Sequence, residues 1–173
     1  MSTPTRYPII DGHNDALMYF SPPNNRPVST FFERLEGHQV DLPRAREAGL
    51  AAGFFAVFIS EEEAMNMVHN FDPSVEYVLP ALEFDLAQKA AMKMVANLFR
   101  LEAMSEGQVK IVRTVADLET CLSDGTLGAV LHFEGAEQID EHLDALEVYY
   151  QAGLRSLGIV WSRPTIFAHG VPF

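Results

Sequence analysis

Leu50-Ala51-Ala52-Gly53-Phe54-Phe55-Ala56-Val57-Phe58-Ile59 is apolar at every position and shows no helical period. A run of this length with no polar face reads as a strand covered on both sides, the usual condition of a parallel sheet. Immediately before it, Asp41-Leu42-Pro43 supplies an N-cap and a first-turn proline, which predicts a helix over Pro43 to Ala48 ended by Gly49. Further toward the N-terminus, Tyr7 to Ile10 reads as a short buried strand that runs into Asp11-Gly12-His13-Asn14-Asp15. Ser21 to Thr30, with Pro22-Pro23 and Asn24-Asn25, is expected to be a loop over that strand end, and Phe31 to Leu35 to open a helix or a short hairpin.

On the other side, Glu61-Glu62-Glu63 reads as a solvated loop or helix start. From about Tyr77 to Glu106 the pattern turns helical, with Leu82, Leu86, Ala90, Met94, Leu98 and Leu101 forming an apolar stripe. Met92, Met94 and Met104 are read as core filling, not as metal ligands. Lys110 to Arg113 is a third strand, Thr114 opens a helix that ends near Asp124-Gly125, and Leu127 to Phe133 is a fourth strand. Asp140 to Gln151 carries Leu143, Leu146 and Tyr150 at helical spacing and stops at Gly153; Leu154 to Trp161 is the fifth strand, before a Pro/Gly-rich loop.

Strands alternating with helices point to parallel βα units, either in an open doubly wound sheet or in part of a (β/α)8 barrel. No GxGxxG or GxxxxGK[ST] follows the first strand, which removes the usual evidence for a nucleotide-binding open sheet. Barrel active sites lie at the C-terminal strand ends. His13 and Asp15 stand there after the first strand, and Glu134 after the fourth. Side chains at i and i+2 of an extended segment share a face, so His13 and Asp15 can grip one cation, and their nitrogen and oxygen donors suit zinc or a similar first-row metal. The plainer alternative is a surface turn with a capping aspartate. Asp11 either orients a ligand or caps the turn, and Gly12 either lets the backbone approach a metal or is an ordinary strand-end glycine. His132 shares Glu134's face and is expected to pack beside the site. His38, His69 and His142 fall on polar segments and are expected in solvent, with His169 in the final loop.

At 173 residues and 48% hydrophobic content, the chain is long and apolar enough for one domain with a real core. A formal net charge of -12 and the lack of a basic stripe argue against nucleic acid and anionic membranes. A lone Cys121 excludes an internal disulfide and suits a reducing compartment as a structural thiol. The N-terminus lacks a signal peptide's apolar core, and the longest apolar run has ten residues, which together predict a cytoplasmic protein with no membrane span.

Three segments, IIDGHNDAL (9–17), VLHFEGAEQID (130–140) and YQAGLRSLGIVWSRPTIFAHG (150–170), occur in an order and at separations that resemble the N-terminal half of the renal, or membrane, dipeptidase family of binuclear zinc peptidases. The resemblance runs from Pro8 onward. It implies an α/β fold, a partial (β/α)8 TIM-type barrel of about five βα units, with residues 1–173 a single domain that is a truncated N-terminal portion. It also implies a metal ligand set of His13, Asp15 and Glu134, the glutamate bridging two zinc ions, and hydrolysis of dipeptide amide bonds by a metal-activated hydroxide. Trp161 stands where the family often has a substrate-contacting histidine, and so is the expected substrate-binding residue; His132 stands where a small residue is typical. The family's remaining ligands, substrate arginine and late aspartate belong to strands beyond the fifth. An open fifth strand presents an unpaired edge, so the expectation is a chain inactive alone, binding metal weakly and from one side, and prone to form a homo-oligomer. The alternatives are a non-catalytic truncated paralogue serving as an interaction module, and a related amidohydrolase acting on another amide.

Overall fold

The computed structural model describes residues 7–60, 72, 74 and 79–171. Glu61 to Glu63, His69 and Tyr77 lie outside the described residues. Among the described residues five strands form one sheet: β1 (Ile9–Asn14), β2 (Leu50–Val57), β3 (Val109–Ile111), β4 (Leu127–Glu134) and β5 (Leu154–Gly158). Every pairing is parallel. The helices between them are α1 (Leu42–Ala48), α2 (Phe84–Met104), α3 (Val115–Asp124) and α4 (Asp144–Ala152). Two 3-10 turns follow β1: Ala16–Phe20 precedes the segment read as a loop, and Val28–Phe32 spans the end of that segment and the start of the expected helix or hairpin. The result is an arc of a (β/α)8 barrel.

Strand order does not follow sequence order. β1 pairs with β2 and β2 with β4, while β3 and β5 share the far edge of β4: β3 against Leu127 to Ala129, β5 against Leu131 to Glu134. Glu134, the last residue of β4, therefore lies in the middle of the sheet. Tyr7 to Ile10 do not form the expected buried strand. Tyr7 is 80% exposed and Ile9 and Ile10 are about half exposed, because among the described residues β1 is the sheet's margin and pairs on one side only.

Local chemistry accounts for the helix ends. Asp41 caps α1 by accepting the Arg44 N–H at 2.8 Å, and Gly49 ends it in the left-handed conformation at φ 77°. Thr114 and Asp117 form a reciprocal capping box at the start of α3. In α2 the buried stripe is Ala87, Ala91, Met94, Val95, Leu98 and Leu101, packed with Phe55, Val57, Leu127, Ala129, Leu131 and Phe133 in one core. Leu86, expected on that stripe, is 57% exposed; it is one position out of phase with Ala87, around which the buried face is centred. Met92 and Met104 also face outward, leaving Met94 as the core methionine. In α4 the inward residue is Tyr149, whose ring meets Phe133 edge-on at 4.8 Å; Leu143 is exposed just before the helix, which begins at Asp144, and Tyr150 is exposed one position out of phase with Tyr149. Phe54, Val112, Leu118, Cys121 and Val130 form a separate, smaller cluster. Burial pushes the Cys121 thiol pKa up, as befits a structural thiol.

Candidate metal centre

The end of β1 is fixed by a small polar network. Asp11 accepts the His13 backbone N–H at 3.3 Å and the Asn14 side-chain N–H at 2.9 Å, and Asn14 in turn accepts the Ala16 N–H at 3.3 Å. Pairing shifts from Asp11↔Gly53 to Asn14↔Phe55, so β1 spends one more residue than β2 over this interval. Asn14 is buried by this bulge, directly over Gly53. A Cβ on Gly53 would lie 2.9 Å from the Asn14 side-chain nitrogen, so a side chain at 53 would dislodge the network. Asp11 thus holds the backbone of the His13 turn. Around Gly12 a Cβ would meet nothing within 4 Å, so no contact with a described residue calls for glycine there.

His13 and Asp15 come together with Glu134 from β4. The His13 Nε2 lies 3.4 Å from an Asp15 oxygen and 3.3 Å from a Glu134 oxygen, and the three donor atoms all fall within 4.8 Å of one another. Burial raises the Glu134 pKa, opposed by nearby His13 and reinforced by the negative charges of Asp15 and Glu137. One imidazole nitrogen and two carboxylate oxygens converging in this way form a donor set that fits a divalent cation. A cation would relieve the repulsion between the two carboxylates.

The other histidines take distinct places. His132 Nδ1 is 2.9 Å from the Ser156 hydroxyl, and its ring stands edge-on to His13 at 5.5 Å, so it packs beside the cluster as expected. Burial lowers its pKa, and the neighbouring His13 lowers it further. His38 is buried, not solvated: its ring lies 3.7 Å from that of Tyr19, and burial and Arg26 lower its pKa. The 3-10 turn after Asp15 brings Tyr19 back over the segment before α1, and polarity in sequence did not reveal that fold-back. His142 is exposed, as is His169 in the loop after β5. Trp161 stands beyond β5, which ends at Gly158; it is 40% exposed, and its ring meets Phe58 edge-on at 5.2 Å. It is on the same end of the sheet as the cluster but is not one of its three members. Sequence reasoning missed Asn14 and Gly53, although an isolated glycine inside an otherwise bulky strand is a known sign of a bulge or a close backbone approach.

A model of the membrane dipeptidase family (peptidase family M19) matches residues 3–172. Among solved structures, the chain is similar to a metallopeptidase from Rhodobacter sphaeroides liganded with a phosphinate mimic of the dipeptide L-Ala-D-Ala, with 39% identity, a TM-score of 0.86, and 96% of this chain and 49% of that one covered. A second neighbour, a dipeptidase of family M19, has 39% identity and a TM-score of 0.82, with 96% and 46% covered. Among curated proteins, an "uncharacterized protein in PQQ-III 3'region" of Acinetobacter calcoaceticus is 36% identical over 177 residues, covering 97% of this chain and 53% of that protein. The chain spans about half the length of each of these relatives.

Proposed function

This chain belongs to the membrane dipeptidase family, and we propose that it supplies one wall of the catalytic centre of a metal-dependent dipeptidase, with His13, Asp15 and Glu134 as metal ligands. The observation that carries this reading is the convergence of three donor atoms, from strands far apart in sequence, within 4.8 Å. Zinc is the cation favoured by an imidazole and two carboxylates, and in a two-ion centre Glu134, with two oxygens, would be the ligand able to serve both ions. A divalent cation bound there would act as a Lewis acid, polarising an amide carbonyl and making a water molecule more acidic.

The chain's own side chains prepare the site. Asp11 and Asn14 fix the turn that aims His13 and Asp15, and His132, tied to Ser156, closes the space beside His13. Glu134 is the most enclosed of the three ligands, so its carboxylate has most to gain from a cation partner. Trp161 offers an apolar surface for a dipeptide side chain at the same end of the sheet. Dipeptides of the L-Ala-D-Ala type are the first substrates to assay, on the precedent of the Rhodobacter protein's ligand. No helix among the described residues is long and apolar enough to cross a membrane. The lone buried cysteine supports a cytoplasmic location.

Equilibrium dialysis against zinc tests the ligand set. The protein should retain zinc, and a His13→Ala, Glu134→Ala double variant that remains folded should lose it. Equal retention by both would overturn the assignment.

A further inference from the structure

Three segments meet at the C-terminal end of the sheet around one buried ion pair. Arg163 follows β5, Glu137 follows β4, and Ile59 follows β2. The Arg163 guanidinium lies 3.7 Å from a Glu137 carboxylate oxygen and donates to the Ile59 carbonyl at 3.1 Å. Both charged side chains are more than nine-tenths buried, at 4% and 8% exposure. Burial on this scale is costly unless the charges are paired, so removing either side chain takes a compensating charge away from the other.

Each partner is tied to a residue of the proposed site. Glu137 lies three positions beyond Glu134, across a turn that only glycine fits at its first position. Gly135 has φ 104°, and a Cβ there would collide with the Glu137 carboxylate. The Gly135 N–H donates to the Gly158 carbonyl at 3.0 Å, and its own carbonyl accepts from the buried Gln138 amide at 3.1 Å. The Glu137 carboxylate therefore folds back beneath the peptide that carries Glu134. Arg163 lies two positions beyond Trp161, in a loop that closes on itself: the Val171 N–H donates to the Trp161 carbonyl at 3.1 Å, the Thr165 N–H to the Ala168 carbonyl at 2.9 Å, and a Cβ on Gly170 would collide with the Ser162 backbone.

We infer that Glu137 and Arg163 are positioning residues of the proposed centre, a buried clamp that sets Glu134 and the Trp161 loop in register with each other and with the end of β2. The inference rests on the metal-centre reading and adds to it two residues outside the three-donor cluster. Positioning of this kind has a distinct signature. Outer partners of metal ligands typically change metal affinity ten- to a hundredfold when removed, and here the same substitution should also alter the surroundings of a tryptophan in another loop.

Trp161 is the single tryptophan of the chain, so its fluorescence reports the loop directly. Wild type, Glu137→Gln and Arg163→Met are titrated with cobalt(II), following visible absorption and Trp161 emission, after circular dichroism and urea unfolding confirm that each is folded. Glu137→Asp, which keeps the charge but withdraws the carboxylate by one methylene, replaces the Gln variant if that one does not fold. The expected result is that both variants bind cobalt(II) at least about tenfold more weakly with an altered absorption band, and that Glu137→Gln shifts Trp161 emission to the red although residue 137 is in a different loop. Binding as tight as wild type in both variants would overturn the positioning role while leaving the metal centre standing. Weaker binding in one and tighter binding in the other would also overturn it, since opposite signs mark a simple charge effect. Failure of the wild type itself to take up cobalt(II) would sink the metal-centre reading and the clamp's role together.

Discussion

Gly53 offers the sharpest test of how the site is built. Its φ lies outside the left-handed region, so alanine at 53 carries no backbone penalty, and restricting the unfolded chain should stabilise by about 0.5 to 1 kcal/mol. Against this, the new Cβ would sit 2.9 Å from the Asn14 side-chain nitrogen, about 0.5 Å inside an ordinary contact. Asn14 is buried and hydrogen-bonded to Asp11 at 2.9 Å, so it cannot swing aside without losing that bond. Overpacking of this kind costs about 1 to 3 kcal/mol, and the lost hydrogen bond about 1 more. Gly53→Ala should therefore destabilise by about 2 kcal/mol, or about 4 to 8 °C in Tm for a domain of this size. The other side-chain atoms near that Cβ belong to Asp11 at 3.5 Å, an ordinary contact. In an Asn14→Ala background the clash is gone, and the same substitution should become neutral or stabilise by about 0.5 to 1 kcal/mol. Urea unfolding of the four proteins, followed by circular dichroism and Trp161 emission, reads the sign directly. Effects that add to within about 0.5 kcal/mol would refute the packing argument.

Two further outcomes follow from burial and electrostatics. Leu98→Ala should cost about 2 to 5 kcal/mol and Leu86→Ala less than about 0.5, since Leu98 is fully buried and Leu86 is 57% exposed; comparable losses in thermal unfolding would contradict the phase of α2. The Asp117 carboxyl is held down at about 2, chiefly by the Thr114 hydroxyl, then by the Arg113 N–H, with Lys110 adding a smaller share. A folded-state pKa below the unfolded one stabilises fully above about pH 4, and that share is lost as pH falls toward 2. The Tm advantage of wild type over Asp117→Asn should accordingly be constant near neutrality and close between about pH 4 and 2; a gap unchanged across that range would show that the carboxylate is not involved.

Much of the fold was legible because local signals agreed with one another. The Asp41 and Thr114 caps, the glycines at 49, 125 and 153, and the unbroken apolar run of β2 each mark a boundary by short-range chemistry, and the structure sets helices and strands there. What escaped was long-range. Nothing local says that β4 lies between β2 and both β3 and β5, because strand order is settled by which faces can be covered. Leu86 and Tyr150 fit a helical period as well as their buried neighbours Ala87 and Tyr149 do, and only packing chooses between them. At the site, His13, Asp15 and Glu134 were visible as residue types that bind metals at strand ends. Asn14, Gly53 and the Glu137–Arg163 pair were not, since their roles come from contacts across strands and loops.

The unequal bonding of the strands has a consequence for how the site moves. Among the described residues, β4 is held along one side by β2 and along the other by β3 and then β5, whereas β1 has β2 as its one neighbour. Strands enclosed on both sides open only with the whole domain, and marginal ones open at lower cost. Glu134 is thus a stationary post, and His13 and Asp15 ride on a more compliant wall. Adjustment to ions of different radius should fall on the β1 side, so amide exchange along Ile9–Asn14 ought to respond to the choice of ion while exchange along Leu127–Glu134 stays the same.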